Sequence, residues 1–374
     1  LEADFDPGLG ENFISAADYM TTIYLSKFDE NLQYQWTITF NPPCNAVPFD
    51  MVTDGQGNIY IAWQHLCTVD ISAGHQMEFD SPVISSETYI TKLDSSGNCF
   101  WATTLDAIIF DLDTDNTGNL YFAGWTRWHY FEEIESGEAN SVNRSILGKI
   151  DSDGEIAWTR IVNDTDDTVG RCVAADSDSA VYVLGEMDDN AYLARYSADG
   201  SLEWENYTYG PGWVNFLDMD MAVDRNGNAV CSVRFFEYAP AFGPDAANAH
   251  GNGAFVASYD RQGNLLWHID FIANRCWIST LSASGDYVFI GGSLPWGLEG
   301  TKNGVMVLNQ SAGSPDAFMD VIPDGNIRAV WVDDLALNDN QILVTGWFTY
   351  EEEVRDEKLA GMNSYLVALD WPDI

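Results

Sequence analysis

The chain has 374 residues, with 58 Asp and Glu against 16 Lys and Arg and a formal net charge of −42. Such a surface repels nucleic acid and anionic lipid, which argues against both as partners, and no apolar run approaches the length of a membrane-spanning helix. With 46% hydrophobic and 13% aromatic residues the chain can bury a core, so it is not a disordered acidic polypeptide, and its favoured partners are cations, basic protein patches or neutral glycans.

In chain order, the first strong pattern is an apolar strand at Tyr24-Leu-Ser-Lys-Phe, a polar turn opening at Asp29, and a second strand carrying Trp36. A short apolar stretch around Phe49-Asp-Met-Val follows, then a turn at Asp54-Gly-Gln-Gly-Asn and a period-2 run from Ile59 to Trp63. The same two hairpins then alternate along the chain. The first recurs as Tyr89 to Trp101, Ile146 to Trp158, Tyr192 to Trp204 and Phe255 to Trp267, with degenerate copies from Val305 and Tyr365. The second recurs at Asp115, Asp176, Asp224, Ser282 and Asn338. Asp caps each turn through its side chain and Gly supplies the positive φ, so these residues read as structural. The recurrent tryptophans read as packing between units.

A period near 55 residues marks a repeat architecture, and each unit supplies four short antiparallel strands, here A, B, C and D. Four strands per unit repeated around a circle is a propeller blade, so the expected fold is an all-β β-propeller forming one domain over residues 1–374. Strand C occurs seven times but the A–B pair only six. Six blades follow if the C-terminal A and B strands (about 333–348) pair with the N-terminal C and D strands (about 23–40), closing the ring with strands from both termini. That arrangement leaves a surplus strand at 364–371; seven blades is the alternative.

The D-x-x-G-N-x-Y-x-x-G type of run, the F-V-x-K-x-D-x-x-G-x-x-x-W type of run and Asp4-Phe5-Asp6-Pro7-Gly8 resemble the bacterial β-propeller repeat family with SBBP-type repeats, over nearly the whole chain. The resemblance implies the fold and a secreted or cell-surface protein, and it carries over no catalytic residues.

Candidate chemistry lies in three places. Asp111, Asp113 and Asp115 open like a calcium loop, although Asn116 and Phe122 stand where an EF-hand needs Gly and Glu. Counting back four residues from the turns aligns Asp50, Asp111, Asp220 and Asp334 on strand A, a partial carboxylate ring interrupted by Cys172 and Ile278 that would suit Ca²⁺ or remain solvated. Aromatic insertions holding Trp128, His129 and Tyr130, then Trp213, then Trp296, suit stacking on sugar rings or anchoring a protein. Among the six cysteines, Cys44, Cys67 and Cys99 are the disulfide candidates.

No nucleophile elbow, HExxH, phosphate loop or dinucleotide fingerprint is present. The expectation is therefore an extracellular module that is not an enzyme and binds or scaffolds protein or glycan. The alternatives are a structural subunit of a surface layer or filament, self-assembling by strand addition, and a carboxylate-dependent carbohydrate enzyme.

Overall fold

The computed structural model describes residues 2–4, 13–15, 23–29, 31, 33–40, 46–65, 88–127, 143–162, 167–188, 190–209, 213–236, 241–242, 251–273, 276–295, 301–320, 327–337, 341–354 and 357–370. The described chain is all-β, its strands antiparallel to their neighbours, and it divides into two compact units, Leu1–Asp164 and Thr165–Ile374.

In the first unit, β1 (Glu2–Asp4) pairs with β2 (Phe13–Ser15), and β3 (Ile23–Phe28) forms a hairpin with β4 (Tyr34–Phe40). Two four-stranded sheets follow in up-and-down order. The first is β5 (Ala46–Thr53), β6 (Ile59–His65), β7 (Thr88–Leu93) and β8 (Cys99–Leu105). The second is β9 (Ile108–Thr114), β10 (Leu120–Arg127), β11 (Asn143–Ile150) and β12 (Ile156–Val162). Strand β7 is buried at every position, because Tyr89 and Leu93 pack into one core layer and Ile90 into another. A strand covered on both faces reads as a continuous apolar run rather than an alternating one.

The second unit opens with β13 (Thr168–Ala175), β14 (Val181–Met187), β15 (Asn190–Tyr196) and β16 (Leu202–Tyr209). Next come β17 (Trp213–Val223) and β18 (Ala229–Phe236), then the short β19 (Ala241–Phe242), which pairs back onto β16. Strands β20 (Gly253–Tyr259) and β21 (Leu265–Ile272) complete the sheet β17-β18-β20-β21. A further sheet contains β22 (Trp277–Ser284), β23 (Tyr287–Pro295), β24 (Thr301–Asn309) and β25 (Pro315–Asp320). The last is three-stranded: β26 (Ile327–Leu337), β27 (Gln341–Val354) and β28 (Glu357–Asp370). Within this unit the first strands of successive sheets lie against one another, β13 on β17, β17 on β22 and β22 on β26.

That last sheet corrects the expected closure. Both edges of β27 are occupied, one by β26 and the other by β28 in continuous register from Gln341↔Asp370 to Val354↔Glu357. Residues 364–370 are therefore no surplus: they continue the hairpin that β27 begins and pair with 341–347. A hairpin partner adjacent in sequence closes a short loop, which costs less entropy than a pairing across the whole chain.

The turns account for the regularity. At Asp54 the carboxylate Oδ1 accepts the Gln56 and Asn58 backbone N–H groups, both at 2.9 Å, while Gly57 takes φ 79°. The recurrent tryptophans link each sheet to the next turn. Trp101 Nε1 donates to the Ser152 carbonyl at 3.1 Å, Trp204 Nε1 to Arg261 at 2.9 Å and Trp267 Nε1 to Gln310 at 2.5 Å.

Candidate functional site

The strand-A aspartates hold backbone. Asp50, Asp111 and Asp334 directly follow a β-bulge and Asp220 lies one residue beyond one. Asp50 Oδ2 accepts the Leu112 N–H at 2.8 Å, and Asp220 Oδ2 accepts the Leu281 N–H in the same relation. Cys172 Sγ donates to the Met219 carbonyl at 3.3 Å, and Thr280 Oγ1 to Asp334 Oδ1 at 3.0 Å. In the register of the sheet, the residue after the bulge in β22 is Thr280, opposite Gly291, and not Ile278. Asp111 lies opposite Ala123, and Asp113 lies opposite Tyr121 and accepts the Thr114 N–H at 2.8 Å. Asp115 is buried in its turn, bonded to Thr117 and Asn119. Among the described residues no group of three or more His, Cys, Asp or Glu is placed to hold a metal ion.

Cys99 opens β8, half-buried, with burial raising its thiol pKa and Sγ 3.6 Å from the Trp101 carbonyl. Cys44, Cys67, Trp128, His129, Tyr130 and Trp296 lie outside the described residues. Trp213 begins β17, opposite Phe236.

A different constellation emerges when equivalent positions of successive sheets are compared. Six residues after the turn aspartate, the second strand carries Tyr60, Tyr121 and Tyr182; directly opposite, the third strand carries Lys92, Lys149 and Arg195. The cation lies over the ring, 4.9 Å from the Tyr60 centroid for Lys92, 5.1 Å from Tyr121 for Lys149 and 5.4 Å from Tyr182 for Arg195. It also approaches the turn carboxylate, with Lys149 Nζ 3.9 Å from Asp115 and Arg195 2.8 Å from Asp176. The tyrosine hydroxyl and the ammonium then reach the next sheet. Tyr60 donates to the Gly118 carbonyl at 3.2 Å and Tyr182 to Gly227 at 2.6 Å, while Lys92 Nζ donates to the Ser152 carbonyl at 3.3 Å. Aspartate, tyrosine and cation thus fill the space between neighbouring sheets.

In the sheet β17-β18-β20-β21 the same register positions hold Val230 and Ser258, opposite one another beside the turn aspartate Asp224. Both replacements are truncations. A cleft of about 440 Å³ lies there, walled by Asp224, Asn226 and Asn228 of one turn, Leu266 and Trp267 of β21, and Asp286, Tyr287 and Asn309 to Ser311 of the next sheet.

Two of its groups are set up for a polar occupant. Asp224 is 5% exposed; Oδ1 accepts the Asn226 and Asn228 N–H groups and Oδ2 the Asn228 amide, and among the described residues it has no ion pair. Gln310, 8% exposed, has its Nε2 without a hydrogen-bond partner. Ser258, opposite Trp267 in the sheet and 1% exposed, has an unpartnered Oγ. Buried polar groups are almost always bonded, so the unpartnered Gln310 amide in the wall of the cleft is informative. At the rim Arg225 is taken by Asp286. The arrangement offers a buried anion, an amide donor and the Trp267 and Tyr287 rings, which suits recognition of a polar group. Reading the repeat for what recurs missed this site; its signal was the one copy in which Tyr and Lys become Val and Ser.

No family model and no curated protein matches the sequence. Solved structures similar in fold include a protein from Lactobacillus plantarum, at 10% identity and TM-score 0.49, covering 97% of this chain and 94% of that one. A mutant apocarotenoid oxygenase from Synechocystis is similar at 8% identity and TM-score 0.44, over 99% of this chain and 96% of the other. A structure from a study of two prolyl endopeptidases is similar at 8% identity and TM-score 0.46, over 88% of this chain and 45% of the other. Two of these are enzymes by name, and the expectation that this chain is not an enzyme is withdrawn, because it rested on the absence of sequence signatures for catalysis, which excludes no reaction. Likeness at this level assigns no reaction.

Proposed function

We propose that the protein is a recognition module of propeller type, its four-stranded sheets serving as blades, which engages a protein or glycan partner through the cleft at Asp224 and Trp267. The single observation that carries this reading is the replacement of the Tyr and cation pair by Val230 and Ser258, with the opening of about 440 Å³ beside Asp224. Concave sites with a few convergent polar groups on aromatic walls are the usual form of a ligand site.

The test is a screen of peptide and glycan arrays with the wild-type protein and with Ser258→Lys, which returns the repeat's own side chain to the cleft. Ligands retained by wild type and lost by the variant are the expected result. Identical profiles would remove the cleft from the function.

A second reading, self-assembly by strand addition, is favoured by β28, which among the described residues has β27 as its sole partner strand. Light scattering in the presence of a peptide spanning residues 357–370 tests it, since a competitor for that edge would dissolve the assemblies.

A further inference from the structure

We infer that the cleft recognises the ammonium group of a lysine side chain presented by a partner polypeptide. The inference rests on the cleft being the binding site and specifies its ligand. The chain itself shows what the space between two sheets accommodates. In the sheets that keep the pattern, a lysine or arginine enters it and lies over an aromatic ring; Lys149 and Arg195 approach the turn carboxylate, and Lys92 donates to the carbonyl of the residue after the next turn's first position. The cleft retains the carboxylate and the carbonyl of that arrangement. Asp224 stands where Asp115 and Asp176 stand, and the Gln310 carbonyl stands where the Ser152 carbonyl receives both Trp101 and Lys92. The cation is missing because Ser258 stands in place of Lys, and the ring beneath it because Val230 stands in place of Tyr. A cation supplied from outside meets a buried carboxylate, a carbonyl and the Trp267 ring, each oriented by bonds of its own.

Gln310 narrows the source of the ammonium. Its unpartnered Nε2 is a donor and calls for an acceptor on the ligand. A peptide main-chain carbonyl supplies one within reach of a lysine side chain; a simple polyamine has none. The net charge of −42 draws basic segments toward the protein generally, and the cleft is the feature that selects among them.

The experiment is calorimetric titration of the full chain at physiological salt with a short capped peptide, acetyl-Ala-Lys-Ala-amide, with its Nε-acetylated counterpart, and with cadaverine. The wild-type protein is expected to bind the lysine peptide at least about tenfold more tightly than either of the others. Ser258→Lys is expected to abolish that preference, since its own ammonium takes the place, and one added charge against −42 leaves the general attraction intact. Asp224→Asn keeps an oxygen for the turn bonds and should weaken the lysine peptide alone. Equal binding of the acetylated peptide, undetectable binding of the lysine peptide, or binding unaffected by Ser258→Lys overturns the inference. Cadaverine binding as tightly as the peptide overturns the assignment to a polypeptide. If array ligands without an ammonium are lost in Ser258→Lys while the lysine peptide does not bind, the cleft stands as the site and the ammonium assignment falls. If nothing that binds is sensitive to Ser258→Lys, the site itself falls.

Discussion

The indole N–H of Trp101 reaches the Ser152 carbonyl, 51 residues away, at 3.1 Å, and its ring covers Gly154 so closely that a Cβ there would stand 2.8 Å from the nearest ring atom. One side chain thereby fixes both the spacing and the orientation of the neighbouring sheet's turn. The same relation recurs between Trp204 and Gly263 and between Trp267 and Gly313, so the tryptophan and the turn glycine act as a pair.

Trp101→Phe keeps most of the apolar area and removes the N–H. A loss of about 0.5–1.5 kcal/mol in unfolding free energy is expected, read from the denaturant midpoint at unchanged slope. Gly154→Ala combines a φ of 92° with the clash and should cost more, about 1–3 kcal/mol. Combined, the two changes should be less than additive, because they damage one contact.

Asp50 offers a sharp distinction between backbone capping and ion binding. Its carboxylate accepts the N–H of Leu112, a buried residue on the neighbouring strand. Asp50→Ala leaves that donor unsatisfied and should cost about 1–3 kcal/mol, whereas Asp50→Asn retains an acceptor and should cost less than half as much. An ion-binding carboxylate would show the opposite pattern, with Asn nearly as damaging as Ala and the loss dependent on added calcium. Thermal melts of the two variants with calcium and with chelator decide between them.

The turn aspartates should set the acid limit. Burial pushes the Asp54 carboxyl upward, but bonds from the Asn58 side chain and backbone, Gln56 and Tyr60 outweigh it and hold the group below its ordinary value. The Asn98 side-chain bond likewise lowers Asp94. A depressed folded pKa contributes stability that is complete above the unfolded value, about 3.9, and is lost as pH falls through the folded one. Stability should therefore hold down to about pH 5 and fall steeply below about pH 4. Asp54→Asn should flatten that acid limb, as followed by circular dichroism.

Glu186 behaves in the opposite sense. Burial raises its pKa, Arg171 at 2.7 Å opposes the rise, and Asp167 adds to it. Arg171→Met leaves the buried carboxylate without its counter-charge and should cost about 3–5 kcal/mol at pH 7. A group with a raised folded pKa loses its contribution as pH rises, so the deficit should shrink toward pH 4, where Glu186 is protonated. A deficit constant across that range would show that Arg171 acts through packing instead.

Much of the fold was legible because its determinants are local. The Asp-x-x-Gly-Asn turns and the tryptophan spacing fixed where most hairpins begin, and the strands fall there. Two places were misread for identifiable reasons. Ser282 resembles the first polar residue of a turn, but β22 continues to Ser284 and the hairpin closes over Gly285 and Asp286. That shift of two residues moves Thr280 into the place assigned to Ile278. The C-terminal strand looked unpaired because counting motifs says nothing about which edge a strand joins, and β27 extends to Val354, past the run that signalled it. The carboxylates on strand A were visible, but Asp50 and Asp220 bond backbone groups 62 and 61 residues away, and no side-chain pattern announces those.

The pair Val230 and Ser258 removes side-chain atoms at one copy, while the three sheets that precede it keep the Tyr and cation template. The path should be portable. Tyr60→Val with Lys92→Ser would carve an equivalent hollow beside Asp54 in another sheet, turning an architecture of near-identical modules into a scaffold whose addressable positions are chosen one module at a time.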